Sequence, residues 1–183
     1  SAQVSDDLSK VTIFVANRFK MDWIRAQYSQ RLALLMERLT GHAVQIELAR
    51  ARGLLGRPEA ARFAPLATEL PGLLEPADTE GPSLLHGDLW SGNVHMLTSD
   101  EPAIIDPAAY YGHREVDLAM AALFGGFRPA FFRAYEAAWP LQRQGAERRR
   151  AAYQLYYLLV HVNLFGRAYL AGTMEALRQA LGG

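Results

Sequence analysis

The sequence predicts an α+β protein that is mainly helical, a helical bundle that carries one small β-hairpin. Apolar residues recur at helical spacing in several segments, which is typical of amphipathic helices. Two short apolar runs, over 94–97 and 103–105, flank the turn sequence Ser99-Asp100-Glu101-Pro102 and predict the hairpin. Half of the 183 residues are hydrophobic, so a domain of this length can bury a sizeable core.

The first 70 residues predict one short strand and three helices. Residues 1–10 are polar and are expected to be a frayed end, followed by a strand over 11–16. In this interpretation residues 1–19 are a residual N-terminal segment, and the main domain is 20–183. Apolar residues at steps of three and four, followed by Gly41, predict a helix over 21–40: Ile24, Tyr28, Leu32, Leu35 and Leu39. Further helices are expected over 42–52 and from Arg57-Pro58, the latter with Phe63, Leu66 and Leu70 on one face.

The rest of the chain alternates loops and helices. Residues 71–82 are rich in proline and predict a loop, and so do residues 108–113. Helices are predicted over 114–124, 129–139 and 145–170, with a kink at Gly166 in the last of these. Thr173 is expected to cap a final helix, with Glu175 in its first turn. The run 148–150, three arginines, is interpreted as a solvated helix face, with phosphate binding as the alternative.

The chemistry is concentrated in LLHGDLWSGNVHMLTSDEPAIID, residues 84–106. The hairpin folds the chain back on itself and is expected to bring Asp106 close to the loop 86–93. His86, Asp88 and Asn93 follow the spacing H-x-D-x-x-x-x-N of kinase catalytic loops, and a strand-end aspartate follows them as in the metal-binding loop.

These residue types suit phosphoryl transfer. Asp88 is positioned as an acceptor for the proton of an attacking hydroxyl. Asn93 and Asp106 supply the hard oxygen ligands that Mg²⁺ prefers. The competing interpretation is that the two aspartates cap loops and Asn93 holds a turn, but the joint spacing argues against it.

The segments HGDLWSGN and IIDPAAYYGHREVDLAMAALFGGF resemble the fructosamine/ketosamine-3-kinase family and, more distantly, aminoglycoside phosphotransferases and choline kinases. The resemblance covers residues 20–183 and implies the C-terminal lobe of a protein-kinase-like fold. It implies ATP as co-substrate, Mg²⁺ as cofactor, and a sugar amine or glycated amine as the acceptor of phosphate on its 3-hydroxyl.

The resemblance also implies roles for residues around the motif. Asp117 is similar to the helix aspartate that braces the catalytic loop, although a helix N-terminal charge is an equal interpretation. From its place two residues before Asp88, His86 is expected to brace the same loop through a hydrogen bond, with proton transfer as the alternative. Trp90 is a candidate to face the sugar or to pack inside. His113 and Glu115 are candidates to contact the sugar amine, although ordinary exposed residues at the start of a helix would look the same. Two other polar residues, His161 and Asn163, are interpreted as core or pocket-wall groups.

Composition excludes several other classes. With 19 basic and 19 acidic residues, nothing indicates nucleic acid or an anionic membrane as a partner. The absence of cysteine excludes disulfides and thiolate chemistry. No apolar run is long enough to span a bilayer, and the first residues lack the pattern of a signal peptide, so a cytoplasmic location is expected.

Parts of a kinase have no counterpart in the sequence. There is no G-x-G-x-x-G, and the only lysines, Lys10 and Lys20, do not end a strand of the V-A-I-K type. The N-terminal β-lobe is therefore expected to be largely absent, the chain to have little kinase activity alone, and the apolar face so exposed to favour self-association. The alternatives are a kinase of aminoglycosides or choline, and a kinase lobe kept only for interaction.

Overall fold

The computed structural model describes residues 2–4, 11–13, 42–98 and 101–183. The chain divides into two compact units, Ser1–Gly41 and His42–Gly183. In the first unit, β1 (Ala2–Val4) pairs antiparallel with β2 (Val11–Ile13). β2 lies within the predicted strand over 11–16, whereas β1 lies in the segment expected to be frayed. The predicted helix over 21–40 and the predicted domain boundary at residue 20 lie outside the described residues.

The second unit is mainly helical, as predicted. Its helices are α1 (His42–Ala51), α2 (Arg57–Ala61), α3 (Ala64–Asp78), α4 (Glu115–Leu123), α5 (Pro129–Ala138), α6 (Ala146–Phe165) and α7 (Leu170–Ala180). Short 3₁₀ turns lie at Ser91–Asn93 and Arg167–Tyr169. No helix among the described residues is long and apolar enough to cross a membrane.

The core surrounds α6, which packs against α1, α3, α4 and α7. Three of its apolar side chains, Leu155, Leu159 and Val162, have no exposed surface. Because α6 contacts helices on several sides, its buried residues do not form a single stripe.

Two small antiparallel sheets stand beside the bundle. β3 (Ser83–Leu85) pairs with β6 (Tyr110–Gly112), and β4 (Val94–Met96) pairs with β5 (Pro102–Ile104). The second pair is the predicted hairpin and confirms it, with Val94 opposite Ile104. β6 was predicted to be a loop, because its partner strand lies 25 residues or more away in sequence and leaves no local signal.

The prediction of a loop over 71–82 is wrong, because α3 continues through Pro71 and Pro76 to Asp78. Each proline removes one helical hydrogen bond. The buried residues Leu66, Leu73 and Ala77 pack α3 into the core, and this burial outweighs the missing bonds.

Two predictions near α6 are also wrong, and a third holds only in part. Gly166 does not kink one long helix; its φ of +89° ends α6. Thr173 does not cap a helix, because α7 already begins at Leu170 and the buried Thr173 hydroxyl donates to the carbonyl of Tyr169. The run 148–150 is a solvated face only in part: the side chains of Arg148 and Arg150 are exposed, whereas that of Arg149 has no exposed surface.

Candidate active site

The loop that follows β3 is held by the side chain of Asp117, in the first turn of α4. One carboxylate oxygen of Asp117 accepts from the backbone N–H of His86 at 2.7 Å, and the other accepts from that of Gly87 at 2.8 Å. These two bonds anchor the start of the loop to the bundle. Burial raises the pKa of Asp117, and the two N–H donors act against that shift by favouring the carboxylate.

His86 links this loop to the end of the hairpin. Its Nδ1 accepts from the backbone N–H of Asp88 at 3.3 Å, and its Nε2 lies 2.9 Å from the carbonyl of Ile105. In the tautomer in which Nδ1 accepts, Nε2 carries the hydrogen and donates it to the carbonyl of Ile105. The ring therefore ties the backbone on both sides of the candidate site together.

Gly87 fits a position that other residues cannot fill. Its φ is +80°, and a Cβ there would lie 2.3 Å from the carbonyl oxygen of Ala108. The carbonyl of Gly87 accepts from the hydroxyl of the buried Tyr157 at 3.3 Å. Sequence reasoning missed this tyrosine, because its only signal was membership of an aromatic-rich helix.

Asn93 joins the two ends of the loop. Its side-chain nitrogen donates to the backbone carbonyl of Asp88 at 2.9 Å and to the carboxylate of Asp88 at 3.1 Å. Its side chain is buried, with 7% of the residue exposed. The amide oxygen is the end of Asn93 that remains to serve as a ligand.

Asp106 follows β5 at the other side of the site. The N–H of Ile105 donates to the carbonyl of Asn93 at 3.0 Å, which places Asp106 immediately beyond the point where hairpin and loop meet. Among the described non-glycine residues, only Asp106 has a positive φ, of +52°. Such a conformation is uncommon outside glycine and is concentrated at functional sites.

Asp88 lies in a mixed electrostatic environment. Burial raises the pKa of Asp88, and the nearby charge of Asp106 raises it further, while the Asn93 hydrogen bond and the charges of His86 and His161 lower it. The hydrogen bond between Ile105 and Asn93 places Asp106 and Asp88 at the same junction of hairpin and loop, so their charges act on each other. A carboxylate with a raised pKa is a better proton acceptor than a solvated one.

The side chains that could bind a metal ion at the candidate site offer oxygen atoms of two kinds, amide and carboxylate. Among the residues that the structure describes, no group of three or more His, Cys, Asp or Glu could hold a metal ion. The pair Asn93 and Asp106 supplies one amide and one carboxylate oxygen. This donor set suits Mg²⁺, which keeps several waters and takes one or two carboxylates in phosphate sites.

Aromatic side chains border the site. The Trp90 ring covers Gly92, where a Cβ would come within 2.2 Å of it, and 40% of Trp90 is exposed. His161 stacks with three rings, at centroid distances of 4.7 Å to Phe124, 5.3 Å to Phe165 and 5.0 Å to Tyr169. Trp90, two residues after Asp88, therefore presents a partly exposed aromatic ring in the same loop. Asn163, by contrast, is buried and donates to Gln45.

Two residues expected at the substrate are engaged elsewhere. His113 lies between Tyr153 and Asp78, with ring nitrogens 2.8 Å from the Tyr153 hydroxyl and 2.7 Å from the Asp78 carboxylate. Glu115 is buried and forms an ion pair with Arg149 at 2.9 Å. Both side chains link elements of the bundle, and neither is brought to Asp88.

Comparison with known proteins gives one consistent result. The sequence model described as fructosamine kinase matches residues 7–182. A relative from Synechocystis named a probable ketoamine kinase is 45% identical over 141 residues, which are 76% of this chain and 46% of the relative. Mouse ketosamine-3-kinase is 34% identical over 165 residues, which are 88% of this chain and 48% of the mouse protein.

Comparison with a solved structure gives the same family. The crystal structure of a candidate fructosamine-3-kinase from Thermobifida fusca is 41% identical, with a TM-score of 0.66 over 76% of this chain and 47% of that one. The second unit thus has the predicted protein-kinase-like lobe architecture, and the chain spans about half the length of these relatives. Since the family profile covers nearly all of the sequence, the chain belongs to the fructosamine kinase family.

Proposed function

We propose that this chain carries the catalytic lobe of an ATP-dependent kinase that phosphorylates the 3-hydroxyl of ketosamines, such as fructosamine or ribulosamine adducts of amines. The observation that supports it most is Asp88, a partly buried carboxylate hydrogen-bonded to Asn93 and within electrostatic reach of Asp106. Phosphoryl transfer depends on positioning and charge neutralisation: this arrangement positions a proton acceptor, and its oxygen atoms could hold the metal ion that neutralises phosphate charge.

In this mechanism Asp88 accepts the proton of the attacking hydroxyl. Asn93 fixes the orientation of the Asp88 carboxylate, and Asp117 with Tyr157 fixes the loop that carries it. Because the loop is held from both ends before substrate binds, little reorganisation is needed when the hydroxyl attacks.

Asn93 and Asp106 are the proposed magnesium ligands. When bound, Mg²⁺ neutralises charge on the nucleotide phosphates. The positive φ of Asp106 turns this residue away from the line of β5, and the Asn93 nitrogen is already used by Asp88. The two oxygen ligands are therefore supplied from opposite sides of the hairpin junction.

Trp90 is proposed to contact the sugar. It is 40% exposed and sits in the same loop as Asp88. An aromatic face suits the apolar side of a sugar ring, and the rings around His161 offer a second apolar surface for the substituent on the amine. His113 and Glu115 act at most indirectly, by holding the bundle on which the loop rests.

A radiolabelled transfer assay tests the proposed kinase activity. The 183-residue chain is incubated with γ-labelled ATP, Mg²⁺ and either fructosyl-lysine, kanamycin or choline, with and without the N-terminal half of the Thermobifida fusca relative. We expect label on fructosyl-lysine, and a rate approaching the ~1–100 per second of kinases only in the supplemented reaction, since the sequence contains no glycine-rich phosphate loop.

The Asp88→Asn variant is the control for the proposed base. Transfer that survives this change, or that goes to kanamycin or choline and not to fructosyl-lysine, contradicts the proposal. Failure of the supplemented chain to bind Mg-ATP in calorimetry favours a lobe that serves only for interaction.

We further propose that the chain self-associates through the small sheets. Leu84 and Tyr111 are cross-strand partners and are 66% and 59% exposed, while Met96 and Ile104 on the hairpin are 65% and 56% exposed. Exposed apolar side chains grouped in this way favour association.

A further inference from the structure

The loop between α5 and α6, residues 139–145, is held in shape by two arginines with almost no exposed surface. The guanidinium of Arg114 donates to the carbonyl of Trp139 at 2.9 Å and to that of Pro140 at 2.6 Å. The guanidinium of Arg149 donates to the carbonyls of Gln142 and Gln144. Buried cations thus fix four backbone carbonyls of one short loop.

Each arginine is fixed in turn by a carboxylate. Arg114 makes a two-pronged contact with Glu80, at 2.6 and 2.9 Å, and Arg149 pairs with Glu115 at 2.9 Å. Such paired, planar contacts hold a guanidinium in one orientation. Nothing in the proposed transfer reaction uses this loop, so its rigid shape needs another explanation.

The other side of the loop forms the wall of a cavity of about 680 Å³. Leu118 and Ala122 of α4, Phe132 of α5 and Leu141 of the loop line it with apolar surface. The Leu141 N–H donates to the carboxylate of Glu136 at 3.2 Å, which fixes the wall further. This volume lies within the range of ~300–1,000 Å³ typical of small-molecule sites.

Three cations also line the cavity. They are Arg133, Arg143 and Arg150, and all three are exposed. None of them forms an ion pair with a carboxylate in the part of the chain that the structure describes. The lining holds one acidic residue, Glu136, so its three arginines leave a local excess of positive charge.

We propose that this cavity is a second binding site, for a small amphipathic anion: a compact apolar body that carries a phosphate or carboxylate group. Arginine is well suited to both anions, and the apolar lining accommodates the body. Because the wall is already rigid, little ordering opposes binding. The site is separate from the catalytic loop, since Leu118 and Ala122 lie about 100° and 140° around α4 from Asp117, which holds that loop. The inference does not depend on the proposed function.

Isothermal titration calorimetry of the 183-residue chain tests it, with phenyl phosphate and phenylacetate as probes and EDTA present to remove divalent cations. We expect saturable binding of at least one probe, and no binding of phenol or inorganic phosphate at the same concentration. The double variant Arg143→Gln/Arg150→Gln should weaken the binding about tenfold or more. Arg62→Gln, an exposed arginine elsewhere, should leave it unchanged.

Circular dichroism of each variant confirms that it is folded. The proposal is overturned if neither probe saturates below about 10 mM, roughly the weak limit for a specific site. It is equally overturned if the double variant binds as well as the unchanged chain.

Discussion

The burial that raises the pKa of Asp88 also lowers the stability of the folded protein. Burial raises the pKa of Asp88 above its ordinary value of 3.8. A carboxyl group whose pKa is raised on folding stabilises the protein least when it is ionised. The stability cost therefore develops as pH rises through the interval between the ordinary and the raised pKa, and it is fully present above the raised pKa.

If Asp88 is the proton acceptor proposed above, we expect Asp88→Asn to lower phosphoryl transfer about 10²–10⁴-fold. The same variant should unfold at a higher temperature at pH 7, with a gain of no more than about 1 kcal/mol because the carboxylate is partly solvated. The gain should vanish near pH 3, where Asp88 is protonated in either state. Thermal unfolding at the two pH values measures it, and a gain that is the same at both would contradict the assigned cause.

Gly87 gives a second test of the same loop. In Gly87→Ala the new Cβ would overlap the carbonyl of Ala108, at 2.3 Å, in addition to the cost of a positive φ. We expect a loss of about 3 kcal/mol in denaturant unfolding. Gly81→Ala is the matched control, since Gly81 has a φ of +72° and open space around its Cα. Its loss should be limited to about 1–2 kcal/mol, and equal losses would argue against the close approach of Ala108.

The helices α4 and α6 are joined by a charged pair as well as by apolar packing. Arg149 has no exposed surface, and its partner Glu115 has 5%. A buried ion pair adds little net stability, but removal of one partner leaves the other charge buried and alone. The pair therefore disfavours any packing of α4 against α6 that would separate Glu115 from Arg149.

Arg149→Met should cost about 3–5 kcal/mol in urea unfolding, because Glu115 loses its counter-charge. The double variant Glu115→Gln/Arg149→Met should recover part of it. A double variant no better than the single one would show that the carbonyl contacts of Arg149, and not its charge, stabilise the fold.

These elements also show what the sequence could and could not predict. The hairpin and the helices α4 and α5 are encoded by local periodicity, turn residues and flanking glycine or proline, so they were predicted nearly to the residue. β6, Arg149 and the course of α3 depend on partners far away along the chain. Composition alone gave the wrong answer for each, because burial against another element decides them.

The candidate site likewise contains residues that the local sequence predicts and residues that only distant contacts place. Asp88, Asn93 and Asp106 belong to one spacing motif and come together in the structure. His113 and Glu115 were chosen only because they follow that motif, and tertiary contacts occupy them instead. The bracing hydroxyl of Tyr157 comes from α6, too far along the chain for any local pattern to indicate it.

For the molecule as a whole, the exposed sheets predict a concentration-dependent association. Sedimentation velocity should show a rising weight-average coefficient for the 183-residue chain, and Leu84→Glu should suppress the rise by placing charge on the apolar pair with Tyr111. Leu48→Glu is the control, since Leu48 is an exposed leucine on α1. A coefficient that is independent of concentration, or equally affected by both changes, would contradict association through the sheets.

The two prolines within α3 bear on how the chain acquires its native state. A segment that lacks two of its own backbone bonds cannot persist as an isolated helix, so α3 must become ordered only once α6 offers a surface. We infer that α3 joins late in folding and that its amides exchange with solvent more readily than those of α6. The segment that leads into β3 and the candidate catalytic loop therefore follows a helix whose stability depends on contact with α6.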